Sequence, residues 1–152
     1  MEYIENSNKV EGCVFCVMQE MQDGENNLIA YRGPRSFAIL NRYPYTSGHL
    51  MVVPKNHVST LEEVDPDTRA EMMELTASCM SILRKIYNPQ GFNMGANIGE
   101  AAGAGVKDHV HIHIVPRWAG DTNFMSTVGA ARVLPETLET TYLRVKKGFE
   151  EA

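Results

Sequence analysis

The sequence predicts an α+β domain in which an antiparallel sheet is covered by helices, and three observations point there. Short apolar or β-branched runs at residues 28–31, 37–40 and 49–53 are separated by Gly33-Pro34, Tyr43-Pro44 and Gly48, the pattern of antiparallel strands joined by turns. Two segments change to helical spacing, one from Pro66 and one from Pro135. The strands come in series, with helices at two places, instead of alternating strictly with them. That order favours an antiparallel sheet over a parallel one.

The elements follow in chain order. Residues 1–10 are polar, lack the apolar stretch of a signal peptide, and are expected to form a loose arm before one domain over residues 11–152. After the three strand runs, Asp65-Pro66 starts a helix, with Asp65 as N-cap and Pro66 at the first helical position. Met72, Leu75, Cys79, Leu83 and Ile86 then recur on one face until Asn88-Pro89 ends the pattern. Cys79 on that face reads as a small buried hydrophobe. Residues 92–98 read as a further strand, and residues 109–115 as another that Pro116 ends, with a Gly/Ala-rich loop between them. Leu138, Tyr142, Val145 and Phe149 mark the apolar stripe of a C-terminal helix.

Bulk composition narrows the function. Nineteen acidic against fourteen basic residues give a net charge of −5 with no basic tract, which argues against a nucleic-acid polymer as partner. No apolar run approaches the length of a membrane span. The three cysteines are odd in number and include the close pair Cys13-x-x-Cys16, so they do not read as a disulfide framework, and a soluble, cytoplasmic protein is expected.

The sharpest signal is His109-Val110-His111-Ile112-His113. On a strand, the three imidazoles emerge on one face while Val110, Ile112 and Ile114 enter the core. A polar face that happens to use histidine is the plain alternative, and a zinc site shared by histidines two apart is another. The preceding residues, 99–106, are rich in Gly and Ala and can offer backbone N–H groups to an anion, which favours a phosphate site. Neutral imidazole is a competent nucleophile toward phosphorus.

Residues 109–115 match the motif of the histidine-triad (HIT) family. Residues 37–44 and 47–54 resemble the nucleotide-cradling first half of that family, especially its fragile-histidine-triad branch. Residues 116–124 resemble bacterial members related to diadenosine tetraphosphate phosphorylase. The resemblance covers most of the chain. It implies an antiparallel sheet with two main helices, extended across a two-fold homodimer, to which the helix bearing Met72, Met73 and Met80 would contribute. It further implies that His111 is the nucleophile, oriented by the carbonyl of His109, and that His113 and His49 contact phosphates. Asn41 would bind the ribose and Asn97 the α-phosphate, while Leu40 and Ile39 line the base pocket and backbone at Gly103, Gly105 and Val106 cradles phosphate. Many relatives carry a Ser, Thr or Gln before the triad to protonate the leaving group. This chain has Gly103-Ala104-Gly105-Val106 there, with Lys107 as a candidate substitute or a solvated lysine.

Cys13-x-x-Cys16 by itself fits two packed thiols, a redox pair or half of a zinc site. The resemblance implies that the pair joins His57 and His109 in a closed structural zinc site. The activity implied is nucleotidyl transfer from the α-phosphate through a covalent intermediate on His111, with a dinucleoside polyphosphate as substrate. Arg117 would reach its distal phosphates and Trp118 its second base. A nucleoside phosphoramidate hydrolase, a nucleotide-binding module without turnover, and a zinc hydrolase using the triad as its metal site are the rival expectations.

Overall fold

The computed structural model describes residues 12–106, 108–121 and 136–152. The expected arm, Lys107, Pro135 and residues 122–124 of the motif region lie outside them. Among the described residues, five strands form one antiparallel sheet: β1 (Ile29–Arg32), β2 (Ser36–Leu40), β3 (Leu50–Pro54), β4 (Gly91–Gly95) and β5 (Ile112–Arg117), in the order β1-β2-β3-β5-β4. The same residues include three helices: α1 (Val14–Glu20), α2 (Pro66–Tyr87) and α3 (Leu138–Glu150).

The long helix begins and ends as its residue types dictate. Asp65 accepts a hydrogen bond from the Thr68 N–H, Pro66 sits where no N–H is needed, and Asn88 takes the left-handed conformation (φ 48°) that closes the last turn. Met72, Leu75, Cys79 and Leu83 are buried under β2, β3 and β5, while Ile86 is only partly buried against that core. Burial pushes the Cys79 thiol up to about 12, as befits a hydrophobe of the core. α3 is capped by Thr137, which accepts from the Thr140 N–H, and its Tyr142 hydroxyl donates to the Ile29 carbonyl at 3.1 Å.

Two expected strands shift. The first stops at Gly95, so that Asn97 belongs to a loop. The second begins at Ile112 instead of residue 109, because the backbone before it leaves the ladder and the Val110 N–H bonds to the Val58 carbonyl at 2.8 Å. It also runs through Pro116. Pairing with β3 ends at Ile114, so Pro116 lies where β5 has a ladder only to β4 and a missing N–H is tolerated. Val110, Ile112 and Ile114 are buried as expected, but His109, His111 and Val115 are buried too, so burial does not alternate along the segment.

Helix α1 is absent from the expectations. It is seven residues long and no side chain caps it, so neither length nor capping chemistry marks it in the sequence. At the entry to β3, Gly48 has φ +84°, and a Cβ there would stand 2.9 Å from a Leu83 methyl, so only glycine fits before His49.

Candidate active site

The sheet, α1 and the loop before β5 enclose a cavity of about 510 Å³. His111 and His113 line it from β5 and its approach. Ile39, Leu40 and Asn41 line it from the end of β2, and Asn97, Gly103, Gly105 and Val106 from the loop. Gly103 has φ +84°, a left-handed position that closes the short 3-10 turn Glu100–Ala102. Among the described residues lining the cavity, Arg42 is the only charged one and none is a carboxylate that would repel an anion.

Backbone partners settle the imidazole tautomers one after another. His111 Nδ1 lies 2.9 Å from the His109 carbonyl, which can only accept, so Nδ1 carries the proton and Nε2 keeps a lone pair. The Tyr45 N–H donates to His49 Nδ1 at 3.2 Å, so the neutral His49 ring is protonated at Nε2 and donates to His113 Nδ1 at 2.9 Å. His113 therefore bears its own proton on Nε2. The Asn41 amide nitrogen lies 3.4 Å from His49 Nε2 but cannot donate to it, since an imidazole accepting at both nitrogens would be an anion. Burial lowers the pKa of His111 against the opposing pull of the His109 carbonyl. For His113, burial and then the neighbouring His111 push it down to about 4.

His109 faces elsewhere. It is fully buried, its Nε2–H donates to the Pro54 carbonyl at 2.8 Å, and its Nδ1 joins a cluster with Cys13, Cys16 and His57. The four ligand atoms lie within 4.8 Å of one another. Three sulfur-to-nitrogen distances are 3.4, 3.5 and 3.7 Å. A tetrahedral zinc with bonds of about 2.3 Å to sulfur and about 2.0 Å to nitrogen has edges of about 3.3–3.8 Å, so the cluster fits that ion with no ligand position left over.

Several expectations change. His49 does not line the cavity; it is buried behind His113 and holds it. The Arg117 guanidinium is bound by both oxygens of Asp121, at 2.6 and 2.9 Å, and by Asn93 at 2.6 Å, so it is engaged locally instead of standing ready for distal phosphates. Trp118 has no place in the cavity of the single chain; its ring stands edge-on to Tyr87, centroids 6.4 Å apart. Sequence reasoning missed the wall supplied by Val14, Phe15 and Met18 of α1, and the rim residues Tyr43 and Tyr45. The available signal was the i, i+4 spacing of Val14 and Met18 around the cysteine pair.

A model of the HIT domain matches residues 23–120. The chain is 40% identical over 136 residues to the AP-4-A phosphorylase of Mycobacterium tuberculosis, a match that spans 90% of this chain and 69% of that protein. It is 30% identical over 93 residues to the asymmetrical bis(5'-nucleosyl)-tetraphosphatase of Schizosaccharomyces pombe, covering 61% of this chain and 50% of that one. Among solved structures, a zinc-bound histidine triad family protein from Mycobacterium smegmatis superposes with a TM-score of 0.72 at 27% identity, over 92% of this chain and 94% of that one.

Proposed function

The chain belongs to the HIT family, and from that premise we propose that it is an enzyme that cleaves dinucleoside polyphosphates, with His111 as the nucleophile. One observation carries the reading: the His111 ring lines the cavity with its Nδ1 proton committed to the His109 carbonyl, so that Nε2 offers the lone pair. His111 Nε2 attacks the α-phosphorus, the bond to the bridging oxygen breaks, and a nucleoside polyphosphate leaves. The nucleotidyl group then passes from Nε2 to the second acceptor.

The other residues divide the work by chemistry. Leu40, Ile39 and Phe15 give the base an apolar pocket, Asn41 binds the ribose, and Asn97 with the backbone of Gly103, Gly105 and Val106 takes the phosphate oxygens. The loop before the triad lacks a hydroxyl or amide side chain between Gly103 and Val106. His113 supplies a hydrogen-bond donor there: its neutral ring accepts from His49 at Nδ1 and points Nε2–H at the leaving oxygen, stabilising the charge that develops on the departing phosphate without giving up the proton. Cys13, Cys16, His57 and His109 would hold a structural zinc, which supplies a rigid closed knot and takes no part in bond breaking. Zinc-bound thiolates suit a reducing, cytoplasmic setting.

Inorganic phosphate is the favoured acceptor, since the relative matched across 90% of the chain is a phosphorylase. Product analysis separates the possibilities. Diadenosine tetraphosphate with phosphate should give adenosine diphosphate and triphosphate, whereas water in its place gives the monophosphate and triphosphate. His111→Asn should abolish both while keeping nucleotide binding within about tenfold, because the side chain acts mainly in the covalent step. Full turnover by that variant, or faster cleavage of an adenosine phosphoramidate than of the tetraphosphate, would overturn the reading.

A further inference from the structure

None of the four cluster residues lines the cavity, yet two contacts join the cluster to the nucleophile. The first runs through His109. Its Nδ1 belongs to the cluster, its Nε2–H is tied to Pro54, and its carbonyl holds the His111 Nδ1 proton at 2.9 Å. The second runs through Phe15, which lies in sequence between the two cysteines. Its ring sits 5.4 Å from that of His109 and 4.9 Å from that of His111, and it also lines the cavity.

Helix α1 has seven residues and no side-chain cap, too little to hold its own shape in water. Its later part is tied down by Gln19 to the Lys55 carbonyl at 3.2 Å and by Asn27 to the Met18 carbonyl at 3.1 Å. Its beginning, where Phe15 stands, is anchored by Cys13 and Cys16. We propose that the filled cluster is a positioning device for the nucleophile: it presses Phe15 against the His111 ring and keeps the His109 carbonyl on its far nitrogen. Phe15 is then a positioning residue, and metal occupancy governs kcat although no metal touches the substrate. The inference rests on His111 being the nucleophile.

A metal site that is only structural would lower thermal stability without changing kcat in protein that is still folded. The test uses the full chain, loaded with zinc or stripped by a chelator, with metal content and circular dichroism measured on each sample. Stripping should lower kcat on diadenosine tetraphosphate by about tenfold or more at temperatures where the fold persists, the size of roughly 1.4 kcal/mol in the barrier. Phe15→Ala should lower kcat comparably with zinc still bound, and stripping that variant should then add less than about threefold, because both changes break one connection. Phe15→Leu should restore most of the rate and the sensitivity to stripping. In 15N spectra, the Nδ1-protonated pattern of His111 should be sharp in loaded protein and averaged in stripped protein.

If stripping unfolds the chain, zinc-loaded Phe15→Ala decides by kcat and the His111 15N pattern together, because Phe15 also borders the base pocket: unchanged kcat, or lowered kcat with a sharp Nδ1-protonated pattern, overturns the proposal. So does stripped, folded wild type with unchanged kcat, or fully multiplicative effects of the two changes. Absence of turnover in the zinc-loaded wild type would instead remove the functional reading on which the proposal rests.

Discussion

At the scale of single residues, the acid limb of the reaction should report His111. Attack needs the neutral ring, and burial lowers the pKa of that ring below the usual imidazole value of 6.5. The limb of kcat/KM is therefore expected below pH 6.5, and a dinucleoside polyphosphate has no terminal phosphate monoester titrating near about 6 to obscure it. A midpoint at or above 6.5 would contradict the assignment. His113 adds a stability effect of the same sign. Its native pKa, pushed down to about 4, lies below that of the unfolded chain, so between those values the unfolded state binds more protons. Stability contributed by the neutral ring is whole above 6.5 and is lost as pH falls toward 4. The triad was legible in the sequence because alternation on a strand puts chemistry on one side. The division of labour was not, because it depends on which backbone groups meet each ring. The place of His109 with the cysteines was implied by the family resemblance and not by spacing, while His49 stood behind His113 for reasons of tertiary position that no spacing encodes.

At the scale of elements, the helix contact on the far side of the sheet turns on one glycine. Gly148 lies inside α3, where alanine would ordinarily favour the helix by about 1 kcal/mol. Here a Cβ would fall 2.5 Å from Ile82 Cγ2 on α2, inside any normal contact. The steric term wins, and Gly148→Ala should lower the melting temperature, corresponding to roughly 1–3 kcal/mol for overpacking a tight interface. An unchanged or raised melting temperature in thermal denaturation would show that α3 can shift without loss. Helices α2 and α3 were legible because each runs long enough for its apolar face to repeat. α1 was hidden because, apart from Asn27 on the Met18 carbonyl, its anchors lie 36 or more residues away, among them Lys55, His57 and His109. Trp118 illustrates the same limit, since a distant residue, Tyr87, decides what it does, whereas Arg117 is held by Asp121 at i+4.

At the scale of the whole molecule, the sheet order leaves β1 and β4 at the edges, and the two are treated differently. α3 packs against β1, bonding the Ile29 carbonyl through Tyr142 and stacking Phe149 on Tyr31 with centroids 5.1 Å apart. β4 instead ends in exposed residues 93–95, with Met94 46% exposed, and among the described residues no strand pairs with its outer edge, which makes it a template for another strand. On the neighbouring long helix, Met72 is used up in the chain's own core, while Met73 is 56% exposed. A two-fold dimer pairing β4 with its own copy would give the free edge its hydrogen bonds and make one sheet continuous across both chains, the arrangement expected of this family. The chain should therefore scatter as two copies at micromolar concentration. Met94→Lys places a charge on the edge, and the two-fold axis brings its copy nearby, so desolvation and like-charge repulsion both oppose pairing. That variant should fall to the mass of one chain while its circular dichroism stays native, since Met94 lies on the surface and outside the core of a single chain. A wild-type monomer at that concentration would rule out the dimer, and a Met94→Lys variant that remains dimeric would move the interface away from β4.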